Sequence, residues 1–469
     1  MHSRICQLSC TPLLLLLCAA PLPALAAAGS SSFAAQSHAD LPRLSEPQDP
    51  SRTQPSTPPA SLAALNSAPL TVTQAVQVAL ADNPGLAEMQ ARATALAAIA
   101  PQVSSLPDPV LSANLLNLPT DSFNLSQEPM TSVQIGLSQA LPFPGKLALR
   151  GQAAAQQAQA ATADVGEMRL ALVQDVRSIW WNLFYLDRAL ATVERNQQLL
   201  RQFFEVARLK YTLGDGLQQD TLLAQTELAK LLDGVIQLQG LRRSEEARLN
   251  ALLNRPTLQT LVLPQGAAAP FQTLPSEHAL LQLAEQNRPL LAAQRSRQAA
   301  AQTQVELAKK DYYPDFTVGV AYGKRSGNNP DQTSRADLAS VMFSMTLPIY
   351  SGSKQDKALD QRNAQLNESH YAFADRRATT QREVSVALAA VHQSHRQYEL
   401  MRDGIIPQAH QTVAAMLSGY QVGKVDFLNL LTAQLNLYNY ELQSWKAFSA
   451  TQQALARLTA AVGKENFNE

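Results

Sequence analysis

Two hydrophobic rhythms alternate along this chain. Leu172, Val176, Ile179, Leu183, Leu186, Leu190 and Val193 recur at alternating spacings of four and three. Val384, Leu388, Val391, His395 and Tyr398 do the same, as do Leu431, Leu435, Tyr438, Leu442 and Trp445. This is the a/d spacing of coiled-coil helices. Trp180, Phe184 and Phe204 sit beside the first seam and widen its apolar stripe, so each helix is expected to touch two neighbours, as in a ring. No proline interrupts Gly145 to Leu213, a run that reaches about 100 Å as a helix. Gly352 to Gln421 is similar apart from Pro407. The returning helices, 217–254 and 427–462, are about half as long. Helical segments at 72–104, broken at Asn83-Pro84, and at 277–311 supply the missing length. Two half-length helices stacked end to end then accompany each long one.

The second rhythm has period two. In 315–323, Phe316, Val318, Val320 and Tyr322 alternate with Thr317, Gly319, Ala321 and Gly323. In 340–347, Val341, Phe343, Met345 and Leu347 alternate with Ser340, Met342, Ser344 and Thr346. Val133, Ile135 and Leu137 alternate with small or polar residues in 132–138, and 109–117 alternates less cleanly. One apolar and one small or polar face suits a strand between lipid and a wet lumen. It equally suits a half-buried strand of a soluble sheet. The polar linker Arg325 to Ala336 has the composition of an exposed hairpin loop.

The chain is duplicated. Tyr211-Thr-Leu-Gly214 precedes Leu222-Leu-Ala-Gln225, and Tyr420-Gln-Val-Gly423 precedes Leu431-Thr-Ala-Gln434, each matched pair lying 209 residues apart. Leu141-Pro142 recurs as Leu347-Pro348, Pro107-Asp108 as Pro314-Asp315, and Asn83 as Asn287. A period this long signals two fused copies of one domain and not a solenoid. The expected division is a first repeat at 69–256, a linker at 257–275 and a second repeat at 276–463.

Composition narrows the class. The 469 residues carry 38 Lys+Arg and 38 Asp+Glu, so nothing in the balance asks for a nucleic acid. Aromatics are scarce and Ala, Leu and Gln abundant, which favours long helices. Arg4, the apolar stretch from Leu13 and the small residues around Ala24-Leu25-Ala26 read as a signal peptide over 1–26. An uncleaved anchor is the alternative, although the apolar core is too short to span a bilayer. The Pro- and Ser-rich stretch 29–68 reads as a disordered leader. Cys6, Cys10 and Cys18 all fall within the signal, leaving neither disulfides nor thiol ligands beyond it. Lipidation at Cys18 is disfavoured by Leu17 before it. No phosphate loop, zinc-protease motif, nucleophile elbow or dinucleotide fingerprint is present, so no catalytic residue and no cofactor is expected.

The duplicated Tyr-x-x-Gly turn with its following Leu-x-Ala-Gln, over about residues 70–463, resembles the TolC family of outer-membrane efflux channels. Leu141-Pro-Phe-Pro-Gly-Lys146 and Asn117-Leu-Pro-Thr-Asp-Ser-Phe123 resemble the heavy-metal resistance branch. The resemblance implies a mainly α fold with a small β part. It implies a homotrimer whose twelve-stranded barrel in outer-membrane lipid continues into a periplasmic coiled-coil tunnel, in a Gram-negative bacterium. It also implies a periplasmic adaptor and an inner-membrane pump of the resistance-nodulation-division type. The residues ask for an oligomer independently, because four strands cannot close a barrel and open edges are not tolerated in lipid. The alternatives are a channel for organic solutes or proteins, and, in another class, a soluble periplasmic coiled-coil scaffold.

Candidate sites follow from the turns. Tyr211, Gly214, Asp215 and Asp220 in the first half, and Tyr420, Gly423, Asp426 and Asn429 in the second, are expected at the periplasmic tip, where the resemblance implies a gate and adaptor contact. The plainer reading is a pair of helix joints. Relatives carry acids lining the closed end. Here Asp220 has the usual place, but its counterpart is Asn429 and the second family acid is Thr432. Asp215 and Asp426 either compensate or serve as turn and cap residues. Pro142, Pro144, Gly145, Pro348 and Gly352 mark the expected barrel-to-helix junctions. His392 and His395 share a helix face without a third ligand, and Met342 and Met345 point to opposite strand faces, so no metal site is expected.

Overall fold

A computed structural model describes residues 69–266, 271 and 273–466. The expected signal peptide and leader lie outside the described residues.

The two halves repeat one order of elements. The first runs α1 (Val72–Asp82), α2 (Pro84–Ala97), α3 (Ile99–Ser104), β1 (Val110–Leu116), β2 (Ser132–Leu141), α4 (Lys146–Leu213) and α5 (Gln218–Leu252). The second runs α6 (Glu277–Asn287), α7 (Pro289–Lys310), β3 (Phe316–Arg325), β4 (Leu338–Met345), α8 (Gln355–Glu399), a π-helical segment Leu400–Ile405, α9 (Ile406–Gln421) and α10 (Phe427–Val462).

Prolines set the breaks. Asn83 takes an extended backbone before Pro84, ends α1 and caps α2, its Oδ1 accepting from the Leu86 N–H at 3.0 Å. The stretch 277–311 is cut in the same way: Arg288, before Pro289, is extended. A second break in 72–104 falls at Ala98, where the Pro101 ring would crowd the carbonyl of Ala97. In the second long helix Pro407 is preceded by the π segment, whose wider turn accommodates a residue that lacks an N–H.

Half-length helices do stack end to end. The Asn83 Nδ2 donates to the Leu252 carbonyl at 3.0 Å, so the start of α2 meets the end of α5. At the equivalent place in the second half the Arg288 guanidinium donates to the Ala461 carbonyl at 3.2 Å, joining α7 to α10. Both contacts satisfy a C-terminal carbonyl that a helix leaves unpaired. The long α4 therefore packs against α2, α3 and α7 along one stretch and against α5 and α10 along the other.

The seam residues form the core. Leu172, Val176, Ile179 and Leu183 are buried in one cluster with Trp180, Trp181 and Phe184, and Leu186 is buried as well. Trp180 donates to the Leu70 carbonyl at 2.9 Å, which anchors the chain before α1. Trp445 and Phe448 of α10 join edge-on, and Tyr398 of α8 lies 5.2 Å from Phe448. His395 stacks on Phe271 and approaches Glu399 at 3.2 Å, so it packs as part of the seam. Arg288, buried, pairs with Glu167 of α4 and Glu383 of α8, both at 2.8 Å. Burial opposes its charge, but Glu167 and then Glu383 outweigh that and hold the guanidinium above its ordinary range.

The strands form one antiparallel sheet in the order β1-β2-β3-β4. Its register sorts the faces. Leu111, Ala113 and Leu115 oppose Leu137, Ile135 and Val133. Leu137 and Ile135 oppose Val320 and Tyr322, and Val320 and Val318 oppose Val341 and Phe343. The irregular alternation of 109–117 thus resolves once β1 is paired. The other face carries Ser112, Gly136, Ala321 and Ser340 in one row and Asn114, Gln134, Gly323 and Leu338 in the next. Leu347, expected in the last strand, lies beyond β4.

Candidate functional site

The tip is built by two copies of one helix-ending motif. Gly214 has φ +84 and Gly423 φ +72. In the first turn the Gly214 N–H donates to the Tyr211 carbonyl and the Asp215 N–H to the Lys210 carbonyl. In the second, Gly423 donates to Tyr420 and Lys424 to Gly419. These paired bonds satisfy the last carbonyls of α4 and α9 and need a left-handed residue. A Cβ at either glycine would meet nothing within 4 Å. Gly423→Ala is therefore expected to cost about 1–2 kcal/mol through backbone conformation alone, measured as a lowered unfolding midpoint. An unchanged midpoint would show that the turn tolerates an L side chain.

The two turns lie side by side but are not equivalent. Tyr420 is 5% exposed and packs on Phe427, ring centres 5.4 Å apart, in a cluster with Phe203, Ala207, Ala224 and Leu430. Tyr211, its repeat counterpart, is 45% exposed. Lys210, one residue before Tyr211, donates from Nζ to the Tyr420 carbonyl at 2.6 Å and lies 4.6 Å from the centre of the Tyr420 ring. This cation joins the first hairpin to the second.

The acids complete the cluster. Burial, and then the charge of Asp426, raise the Asp220 carboxyl above its usual range, while Lys210 partly offsets this. Burial, and then Asp220, push the Tyr420 hydroxyl up to about 12. Of the eight expected tip residues, the structure sets Tyr420 on Lys210, brings Asp220 within electrostatic reach of both Lys210 and Asp426, and leaves Asp215 exposed on the turn. Asp426 occupies the cap position of α10, but its side chain makes no capping hydrogen bond. Asn429 lies exposed in the first turn of α10, its N–H donating to the Asp426 carbonyl. Sequence reasoning passed over Lys210. The signal available was a break in the duplication, since the residue 209 positions on is Gly419.

The junction residues also fall where strand becomes helix. Pro142 and Pro144 lie between β2 and α4, and Gly145, at φ +92, precedes the first residue of α4. Pro348 and Gly352 lie in the turns between β4 and α8. The residue that holds this junction is Lys146. It is buried, and its Nζ reaches Asp311 at 3.2 Å and Asp315 at 3.0 Å, while Asp315 also accepts from the Phe143 N–H at 2.7 Å. A cavity of about 360 Å³ opens beside it, lined by Tyr313, Leu347, Ile349 and Tyr350 among others. Among the described residues no helix is long and apolar enough to cross a membrane, and no cluster of three or more His, Cys, Asp or Glu is set to hold a metal.

A duplicated helical hairpin set on a four-stranded sheet is matched by the family described as outer membrane efflux protein, over residues 75–255 and 280–464. The chain belongs to that family. Outer membrane efflux proteins are transport proteins and not enzymes, and the family places this chain in the outer membrane. Among relatives, it is 27% identical over 205 residues to the cobalt-zinc-cadmium resistance protein CzcC of Cupriavidus metallidurans, covering 43% of this chain and 47% of that one. It is 26% identical over 271 residues to the alkaline protease secretion protein AprF of Pseudomonas aeruginosa, covering 56% and 55%. The chain spans about half the length of each of these relatives. Among solved structures, the outer membrane protein VceC from Vibrio cholerae shares the fold with a TM-score of 0.71 at 18% identity, over 84% of this chain and 96% of that one.

Proposed function

We propose that this outer membrane efflux protein is the exit duct of a pump-adaptor-channel system. In this reading three copies close a twelve-stranded barrel in outer-membrane lipid above a helical tunnel in the periplasm. The observation that carries the reading is the sheet. One face is apolar across all four strands, with Leu111 73% and Val341 86% exposed in the single chain. The other face is mostly small and polar, with Val110, Leu116, Leu338 and Met342 as its apolar members. Both edge strands are open, and in lipid each unpaired edge group costs several kcal/mol, so the sheet needs further strands to complete it. Three copies supply twelve, an even number in the known range.

Conduction is passive. The chain carries no enzyme signature, so energy comes from an inner-membrane pump of the resistance-nodulation-division type, joined through a periplasmic adaptor at the tip formed by residues 211–220 and 420–429. The two turns, with Asp220, Tyr420, Asp426 and their neighbours, narrow the tunnel there. The signal peptide over 1–26 directs export, and the repeats span 69–256 and 276–463 about the 257–275 linker. Purified protein in lipid bilayers is expected to be trimeric and to conduct ions. A monomer without conductance would sink the duct reading.

The cargo reading favoured is heavy-metal cations, supported by the likeness to the cobalt-zinc-cadmium resistance protein. A second reading, export of proteins or organic solutes, is supported by the likeness of similar strength to the protease secretion protein. Deleting the gene should lower tolerance to copper, silver, zinc, cobalt or cadmium on the first reading. Unchanged metal tolerance with raised sensitivity to dyes and antibiotics would favour the second.

A further inference from the structure

We propose that the cavity at the barrel-to-helix junction seats the headgroup of an aminophospholipid, phosphatidylethanolamine, from the periplasmic leaflet. The proposal rests on the duct reading above, which sets the sheet in lipid. Its first support is position. The β3–β4 ladder continues one rung past Phe316 and Met345, the Thr346 N–H donating to the Asp315 carbonyl at 3.0 Å. Leu347 follows in the alternation of Val341, Phe343 and Met345 on the apolar face. With Ile349 and Tyr350 it makes an exposed apolar wall of the cavity. Tyr313, also exposed, lines the cavity and stacks on Phe143, ring centres 4.5 Å apart. Aromatic residues gather where a barrel meets the boundary of lipid and water. The cavity thus opens where acyl chains lying on the sheet end and their headgroups begin.

The second support is a buried acceptor. Gln355 lines the cavity at 9% exposure, and its Oε1 is buried with no hydrogen-bond partner among the described residues. Its Nε2 donates to the Asp311 carbonyl at 3.5 Å, so the oxygen is the end left over. A buried acceptor without a donor costs about 1–3 kcal/mol, and a ligand that donates recovers it. The surrounding charges give the donor its character. Lys146 is shared between Asp311 and Asp315, and Arg150 also acts on Asp315, which leaves Asp311 the less satisfied carboxylate. Lys354, exposed at the cavity rim, pairs with no carboxylate among the described residues. A zwitterion with a hydrogen-bonding cation at one end and an anion at the other fits this order. The ammonium of phosphatidylethanolamine donates to Gln355 Oε1 and Asp311, its phosphate meets Lys354, and its chains lie on Leu347 and Ile349.

The test uses the full-length trimer, extracted from vesicles of equal parts phosphatidylethanolamine, phosphatidylcholine and phosphatidylglycerol. Native mass spectrometry counts the retained lipid, and planar bilayers record conductance of the same preparation. One phosphatidylethanolamine per protomer should be retained. Phosphatidylcholine, whose ammonium has no N–H, and phosphatidylglycerol, which has no ammonium, should be retained about tenfold less, the size of one charged hydrogen bond. Gln355→Leu and Lys354→Gln should each lower phosphatidylethanolamine retention about tenfold. Lys354 is exposed, so its variant keeps the test open if Gln355→Leu does not assemble. Equal retention of the three lipids, or unchanged retention in Lys354→Gln, overturns the seat. Free phosphoethanolamine held as tightly as the lipid overturns the membrane as its source. A conducting trimer that retains no lipid overturns the seat and leaves the duct reading intact. Selective retention by a protein that never conducts sinks the duct and leaves the seat.

Discussion

Replacing Arg288 with alanine is expected to destabilise the helical part by about 3 kcal/mol, the lower end of the cost of breaking a buried ion pair. The guanidinium reaches three elements at once: Glu167 on α4, Glu383 on α8 and the Ala461 carbonyl at the end of α10. Its removal leaves two carboxylates on one site and a helix-end carbonyl without a donor. Both glutamates keep partial contact with water, which keeps the cost at the low end. Lysine should recover only part, because a point charge cannot fork between two carboxylates. The measurement is thermal or urea unfolding of the purified protein. A loss below about 1 kcal/mol, the range of an exposed pair, would mean that the cluster is solvated in the assembled protein.

Placing an arginine at Ile135 is expected to abolish stable insertion in the outer membrane, whereas an arginine at neighbouring Gln134 should be tolerated. The two residues are adjacent in β2 and point to opposite faces. Ile135 lies between Ala113 and Tyr322 on the apolar face, and Gln134 between Asn114 and Gly323 on the polar one. A cation on the lipid face near the bilayer centre costs about 2–4 kcal/mol, while one on the lumen face stays in water. Membrane fractionation with heat-resistant trimer as the readout separates them. Equal loss in both variants would argue against a lipid face on this side of the sheet.

The long helices were legible because their seams obey a fixed period. Leu172 to Val193 predict the α4 core, and the observed helix ends at Leu213, where the glycine had been expected to stop it. The paired Tyr-x-x-Gly turns were legible for the same local reason, since a left-handed residue is needed to end each helix. The strands were legible where both faces are regular, as in β3, and not in β1, whose faces are assigned only by pairing with β2. The Arg288 break was missed although Asn287 had been matched to Asn83, because Arg288, which is not a capping residue type, stands between that asparagine and Pro289. The π turn before Pro407 was missed because proline predicts a disturbance and not the form it takes.

The sequence by itself determined the repeat, the seams of the long helices and the glycine turns that end them, and the alternation of most strands, because each depends on neighbours in the chain. Only the tertiary structure decided that Lys146 sits buried between Asp311 and Asp315, that Arg288 bridges α4, α8 and α10, and that Lys210 reaches Tyr420 across the tip. Those contacts span from 95 to 210 residues of chain. A charge that far along the sequence leaves no periodic trace, and its partner is fixed only when the packed helices bring the two elements together.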